Sequence, residues 1–171
     1  MRKDDTFESE RLSFRGINEN DAKLLVKWRS DSEVIRFFRL PEPISMEQHL
    51  RWYEWSYRNN PNRYDYVIID KETKRAIGTV GASKFSEEND WEVSYMIAET
   101  AYRRRGYAVE AIAAIMERLR QEGIACFVAE IHRENIASVK TVEKLGFQFC
   151  EEHTPFCIYC WKEVSNDLHP C

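Results

Sequence analysis

Residues 102–108, Tyr-Arg-Arg-Arg-Gly-Tyr-Ala, carry the strongest chemical signal in the chain. Three consecutive arginines repel one another unless solvent or an anion holds them. Immediately downstream, Val109, Ile112, Ile115, Met116 and Leu119 recur with a 3.6-residue period. That period predicts an amphipathic helix from about Ala108 to Glu122, with Gly123 as its stop. The arginines and Gly106 therefore fall at a helix N-terminus. There, unpaired N–H groups and the positive end of the macrodipole favour a bound anion.

The chain around this cluster is acidic. Its 171 residues carry 25 lysines and arginines against 29 aspartates and glutamates, a net charge of -4. That balance argues against a general nucleic-acid binder, and no DNA-reading motif is present. The basic turn suits one small anionic ligand. With 43% hydrophobic and 32% charged residues, the chain reads as a single domain over residues 1–171, its core about 10–164. No repeat or polar linker divides it. The N-terminal MRKDDTFESE lacks an apolar core, and no stretch approaches the roughly 18 apolar residues of a membrane span. The expectation is a cytoplasmic protein away from the membrane, monomeric or homodimeric.

Five cysteines, an odd count, fit reduced thiols better than a disulfide framework. Cys157 and Cys160 form a Cys-x-x-Cys with Cys150 and His153 upstream, the residue types of a zinc site. Residues 156–164 read as a strand, however, and positions three apart on a strand point to opposite faces. A tetrahedral site needs four converging ligands. No metal is expected, and the cysteines read as buried or half-buried structural thiols.

The elements that position the basic turn follow from the pattern on either side of it. Residues 11–17 alternate as a first strand, and Asn20 or Asp21 heads a helix with Leu24, Leu25 and Trp28 on one face. Ser45-Met46-Glu47-Gln48 is a capping box opening a second helix, about Met46 to Arg58. Residues 64–70 and 75–85 form an antiparallel hairpin around a polar turn, and 91–98 is the next strand. After the basic turn and its helix come an apolar strand over 124–131 and a short helix ended by Gly146. Strands over 147–153 and 156–164 close the chain. The order β-α-α-β-β-β-α-β-α-β-β is an α/β fold with a mixed sheet of about seven strands. The strand after the arginine-headed helix is expected to run parallel to the one before it. A ligand site is expected where those two strands diverge.

Neither GxxxxGK[ST] nor GxGxxG is present, which removes the nucleotide-triphosphate loop and leaves a dinucleotide fold unsupported. What remains, Arg103-x-x-Gly106-x-Ala108, resembles the [QR]xxGx[GA] pyrophosphate motif of the GCN5-related N-acetyltransferases (GNAT). Asn135-Ile136-Ala137-Ser138 and Glu143-Lys144-Leu145-Gly146-Phe147 resemble that family's last helix and the entry to its next strand. The strand order matches over nearly the whole chain. The resemblance implies a single-domain GNAT fold with a splayed β4/β5 cleft, and an enzyme that uses acetyl-CoA to acetylate an amine. It implies that the backbone of Tyr95, Met96 and Ile97 pairs with the pantetheine arm. It also implies that amides from Arg104 through Arg105, Gly106 and Tyr107 to Ala108 cradle the pyrophosphate, neutralised by the arginine side chains, Arg103 included. Asn135 either hydrogen-bonds the pantetheine or merely caps its helix. Ser138 lies near the thioester sulfur or at the surface.

Acetyl transfer to an amine needs a base for the ammonium proton, donors for an oxyanion and an acid for the departing thiolate. Glu92 is the base candidate, directly or through water, and strand register decides whether it faces the site or solvent. The N–H of Ile97 is the candidate oxyanion donor. Many family members place a tyrosine acid where, counting from Asn135, this chain has Val142, which leaves Ser138 or water. For the acceptor, Trp28, Arg29, Val34, Ile44, Ser45, His49 and Trp52 resemble acetyltransferases of amino-sugar nucleotides. Aromatics there would stack on sugar or base, and the arginine would take a phosphate; the tryptophans also suit a core. Family members acting on ribosomal-protein N-termini share the aliphatic residue at position 142. A small-molecule amine and a peptide amine both stay open, as does a domain that binds acyl-CoA without catalysis.

Overall fold

An eight-stranded mixed sheet runs through the computed structural model, which describes residues 2–162. Its strands are β1 Thr6–Glu8, β2 Leu12–Gly16, β3 Arg63–Asp70, β4 Ala76–Lys84, β5 Trp91–Ile97, β6 Cys126–His132, β7 Gln148–His153 and β8 Phe156–Lys162. They are ordered β1-β2-β3-β4-β5-β6-β8-β7, and only β5 and β6 pair in parallel. The count rises from the expected seven because Thr6–Glu8 adds an outer strand, with Phe7 stacked on Phe14 at 4.5 Å. The cleft expected between the fourth and fifth strands is consequently the one between β5 and β6. Glu163 and Val164, the expected end of the last strand and of the core, lie outside the described residues.

The helices are α1 Ala22–Trp28, α2 Ser32–Ile35, α3 Met46–Trp52, α4 Tyr107–Arg120 and α5 Ile136–Lys144. A single 3₁₀ turn, Glu19–Asp21, precedes α1, so the capping side chain is Asn18 rather than Asn20 or Asp21. The Ser45–Gln48 capping box opens α3 as expected. Beyond Trp52 the helix widens to a π turn over Tyr53–Tyr57, closed by Arg58 N–H to Tyr53 O at 2.8 Å. This spacing brings Trp52 and Tyr53 both onto the Tyr57 ring, at 5.6 and 5.5 Å between centroids. The short α2 has no counterpart in the expected order.

Alternation along β5 sorts the core into two layers. Trp91, Val93 and Tyr95 pack with α4, whereas Met96 packs with Leu25, Trp28 and Tyr57 on the opposite face. Parallel pairing between β5 and β6 is confined to Trp91↔Phe127 and Glu92↔Val128. Past Glu92 the two strands part, while β5 keeps its partner β4 to its end.

The cysteines depart from the expectation of reduced thiols. A β-bulge between Phe149 and Glu151 shifts the β7–β8 register and places Cys150 against Cys160, where the two form a disulfide. Cys157 remains a buried core thiol, on the face opposite Cys160.

Candidate active site

The basic turn lies at a helix N-terminus, as its residues foretold. Arg104 (φ 60°) and Gly106 (φ 80°) are both left-handed, and Gly106 is the N-cap of α4. No side chain caps this helix start, so its first N–H groups are left for a ligand. This cradle fits the diphosphate of acetyl-CoA. Arg103 turns away from it: Nε and Nη2 donate to the carbonyls of Ile97 (3.0 Å) and Ala98 (3.1 Å), tying the turn to the end of β5. Arg105 lies over the rings of Tyr102 and Tyr107.

Two supports for this turn escaped the sequence reading. Arg11 donates to Arg105 O (2.9 Å) and to Glu110 (2.7 Å), with its guanidinium 4.4 Å above the Tyr107 ring. Asp70, 2% exposed, accepts from Thr73 Oγ1 (2.6 Å), Thr73 N–H (2.9 Å) and Tyr107 Oη (3.2 Å). The Thr73 hydroxyl leads the bonds that hold its carboxyl below the usual carboxylate range. Arg105→Ala is expected to raise KM for acetyl-CoA about 2- to 5-fold, the value of one exposed charge contact, and to weaken its salt dependence. Arg103→Ala is expected to raise KM without changing the salt dependence. Initial rates across a salt series measure both, and an unchanged KM in the two variants would place those side chains outside the site.

Tyr95, Met96 and Ile97 sit where β5 has β4 on one side and no β6 on the other. The backbone edge assigned to the pantetheine arm therefore faces the divergence. Across it, Asn135 caps α5, its Oδ1 accepting from Ser138 N–H at 3.2 Å. Ser138 is buried, and its Oγ accepts from Tyr95 Oη at 3.1 Å. Val142, one turn further along α5, is 1% exposed in the apolar core.

Glu92 shares its face of β5 with Met96, toward α1 and α3. Arg63, Ser83 and Glu92 form one row across β3, β4 and β5. Burial, then the neighbouring Glu130, pushes the Glu92 carboxyl above the usual glutamate range, with Arg39 and Arg63 opposing. Glu130 is itself almost fully buried and paired with Arg39, from the segment after α2. The half-buried Glu92 is thus turned toward charged neighbours on this face rather than free in solvent.

Beside this row lies a cavity of about 210 Å³, lined by Arg29, His49, Trp52, Arg63, Asp65 and Met96 among others. Arg63 donates to Asp65 at 2.7 Å, and Gly81 leaves room for that pair, since a Cβ there would meet Asp65 Oδ1 at 2.5 Å. In the wall of this cavity, Arg29 Nε and His49 Nε2 are buried without a hydrogen-bond partner. Burial, then Arg63, lowers the Arg29 pKa; burial, then Arg29, lowers that of His49. With His49 neutral, the cavity's lining holds two arginines and one carboxylate, Asp65, while Glu92 acts on Arg63 from beside it.

Of the seven residues expected around the acceptor, Arg29, Ile44, His49 and Trp52 line this cavity. Trp28 packs in the core, its indole N–H donating to Glu99 at 3.0 Å. Arg63 and Asp65 were missed; their i, i+2 spacing on one strand face was the available signal. His49 titrates near 6.5 when unfolded and lower when folded. The stability this confers is present above pH 6.5 and is lost as pH falls through the folded value. His49→Gln is expected to flatten the fall in Tm between about pH 7 and pH 5, read by thermal unfolding.

Among the described residues no three metal-ligating side chains converge, and no helix is long and apolar enough to cross a membrane. A family model described as an acetyltransferase (GNAT) domain matches residues 11–148. An uncharacterized protein of Methanocaldococcus jannaschii is 31% identical over 144 residues; the match covers 82% of this chain but only 29% of that protein. An uncharacterized N-acetyltransferase of Bacillus licheniformis is 26% identical over 150 residues, 84% of this chain and 83% of that one. Among solved structures, a domain from Methanocaldococcus jannaschii superimposes with a TM-score of 0.81 at 28% identity, over 93% of this chain and 100% of that one. The aminoglycoside acetyltransferase AAC(6')-Ib, solved with coenzyme A and kanamycin, shares the fold. Its TM-score is 0.76 over 88% of this chain and 94% of that one, at 12% identity.

Proposed function

This chain belongs to the GNAT acetyltransferases, and from that premise we propose that its acceptor is a small-molecule amine bearing an anionic group, such as an amino-sugar nucleotide. One observation carries the reading: Arg29 Nε and His49 Nε2 are buried without partners in a cavity lined by two arginines and one carboxylate. A phosphate or carboxylate on the acceptor supplies what both lack. The Trp52 ring gives an apolar wall for a sugar or base. At about 210 Å³ the cavity is smaller than the ~300 Å³ of a drug-sized site. It suits the anion and its immediate surroundings rather than a whole nucleotide. A polycation or a peptide N-terminus would be better served by an acidic groove.

Acetyl-CoA supplies the activated acetyl group. On this reading the turn from Arg104 to Ala108 holds its diphosphate, and the free edge of Tyr95–Ile97 holds the arm. Glu92 takes the proton of the acceptor amine, directly or through a water. Its raised pKa makes it a stronger base near neutral pH than an exposed glutamate. The N–H of Ile97 is the donor assigned to the developing oxyanion.

Matched acceptors test the reading, with thiol release from acetyl-CoA as the readout. Glucosamine 6-phosphate is set against glucosamine, an amino-sugar nucleotide against its free sugar, and kanamycin and a short peptide serve as cationic and polypeptide controls. The anionic members are expected to be favoured about 10- to 100-fold in kcat/KM, the worth of one charge-assisted hydrogen bond. Arg29→Met is expected to bring the members of each pair to similar rates. Preference for the peptide or for kanamycin would sink the anionic acceptor.

A further inference from the structure

We propose that Tyr95 is the catalytic acid of this chain, giving its phenolic proton to the coenzyme A sulfur, with Ser138 orienting the phenol. The proposal rests on the acetyl-transfer reading above. Val142 offers no proton and is sealed in the core. Two hydroxyls meet at that wall of the cleft, Ser138 on α5 itself and Tyr95 from the opposite strand. From β5 the Tyr95 side chain reaches across the divergence to Ser138 Oγ on α5, 3.1 Å away. Ser138 precedes Val142 by one helical turn, so the two share a helix face.

Position on β5 supports the same assignment. Tyr95 packs on the α4 side, while its neighbour Met96 lines the acceptor cavity from the other side. The phenol therefore lies on the cosubstrate side of the strand, next to the residue that meets the acceptor. Ser138 is in turn fixed by Asn135, whose Oδ1 holds its N–H. This gives Asn135 a positioning role through its helix cap.

Acidity separates the two hydroxyls. An aliphatic hydroxyl is a poor acid, whereas a phenol near 10 and a thiol near 8.5 lie within about two units, close enough for general-acid catalysis. Rotation about the phenolic C–O bond redirects the proton from Ser138 Oγ into the cleft. Tyr95 then protonates the sulfur as the carbon–sulfur bond breaks and its electron pair stays on sulfur. The resulting phenolate takes a proton from solvent. The proton lost by the amine leaves by way of Glu92, so no other reactant is needed.

Tyr95→Phe keeps the ring and removes the proton. The first readout is the thiol of bound coenzyme A, titrated by its thiolate ultraviolet absorbance. A phenol donating to the thiolate lowers that pKa, so the bound thiol is expected to titrate about one unit higher in Tyr95→Phe than in the wild type. The second readout is turnover of the best amine from the matched panel. There kcat is expected to fall about 10²-fold with KM for acetyl-CoA within about twofold, and Ser138→Ala to lose less. Identical thiol titrations in wild type and Tyr95→Phe overturn the proposal, whatever happens to turnover. Wild-type acetylation of amines alongside such identical titrations leaves the transferase reading intact. A shifted thiol in a wild type that acetylates none of the panel overturns the transferase reading and keeps the Tyr95–sulfur contact.

Discussion

Gly106→Val is expected to abolish coenzyme A binding in a protein that still folds. Gly106 sits at φ 80° as the N-cap of α4, a conformation that costs a β-branched residue about 1–3 kcal/mol. The chain escapes that strain by rotating the peptide, which swings the first N–H groups of α4 away from their common target. Losing two or three charge-assisted hydrogen bonds of about 1.5 kcal/mol each predicts at least a 10²- to 10³-fold loss of affinity. The fold survives because the nearest atom to a new Cβ is Arg11 Nη2 at 3.4 Å, an ordinary van der Waals contact. Calorimetry with coenzyme A, beside thermal unfolding of the same sample, checks both halves. Wild-type affinity in the folded variant would remove this turn from the site.

Glu92→Gln is expected to lower kcat about 10²-fold or more at saturating acetyl-CoA, since it keeps the shape and removes the base. The acid limb of the pH–rate profile should disappear with it. In the wild type that limb lies above the ordinary glutamate value of 4.5, because burial and Glu130 both oppose ionisation of Glu92. The same shift has a sign for stability. A carboxyl whose folded pKa is raised contributes stability below its unfolded pKa, and this is lost as pH rises through the folded value. Glu92→Gln should therefore raise Tm at pH 7 while lowering the rate, the opposite pairing to a variant that is merely damaged. A fall in kcat under about tenfold would move the proton to water.

What was legible in the sequence was local. The basic turn, Gly106, the Ser45–Gln48 capping box and the parallel strand after α4 each depend on residues within a turn or one crossover. The acceptor cavity was not, because its walls come from segments that meet only in the folded sheet. Arg29 caps the end of α1, His49 comes from α3, Arg63 and Asp65 from β3, and Met96 from β5. Arg11 and Glu110 are 99 positions apart, and no pattern links them. Trp28 and Trp52 are the same residue type on similar helices, yet one fills the core and the other lines the cavity. The Cys150–Cys160 pair required a register shift that no spacing rule supplies. The direction of Glu92 likewise depended on the register of β5.

The alternation of β5 separates two kinds of choice that an enzyme of this sort has to make. Tyr95 faces the α4 side with Trp91 and Val93, while Met96 and Glu92 face the cavity side. On the proposed reading, the acceptor cavity and the proposed acid thus lie on opposite sides of one strand, at even and odd positions. An engineer seeking a new acceptor can vary Met96 and the cavity-lining residues of α1 and α3, and leave Glu92 and the odd positions undisturbed. A one-residue slip of β5 against β4 would exchange the two sets at once. Substitution at Met96 should therefore retune this enzyme, whereas a slip of register should silence it.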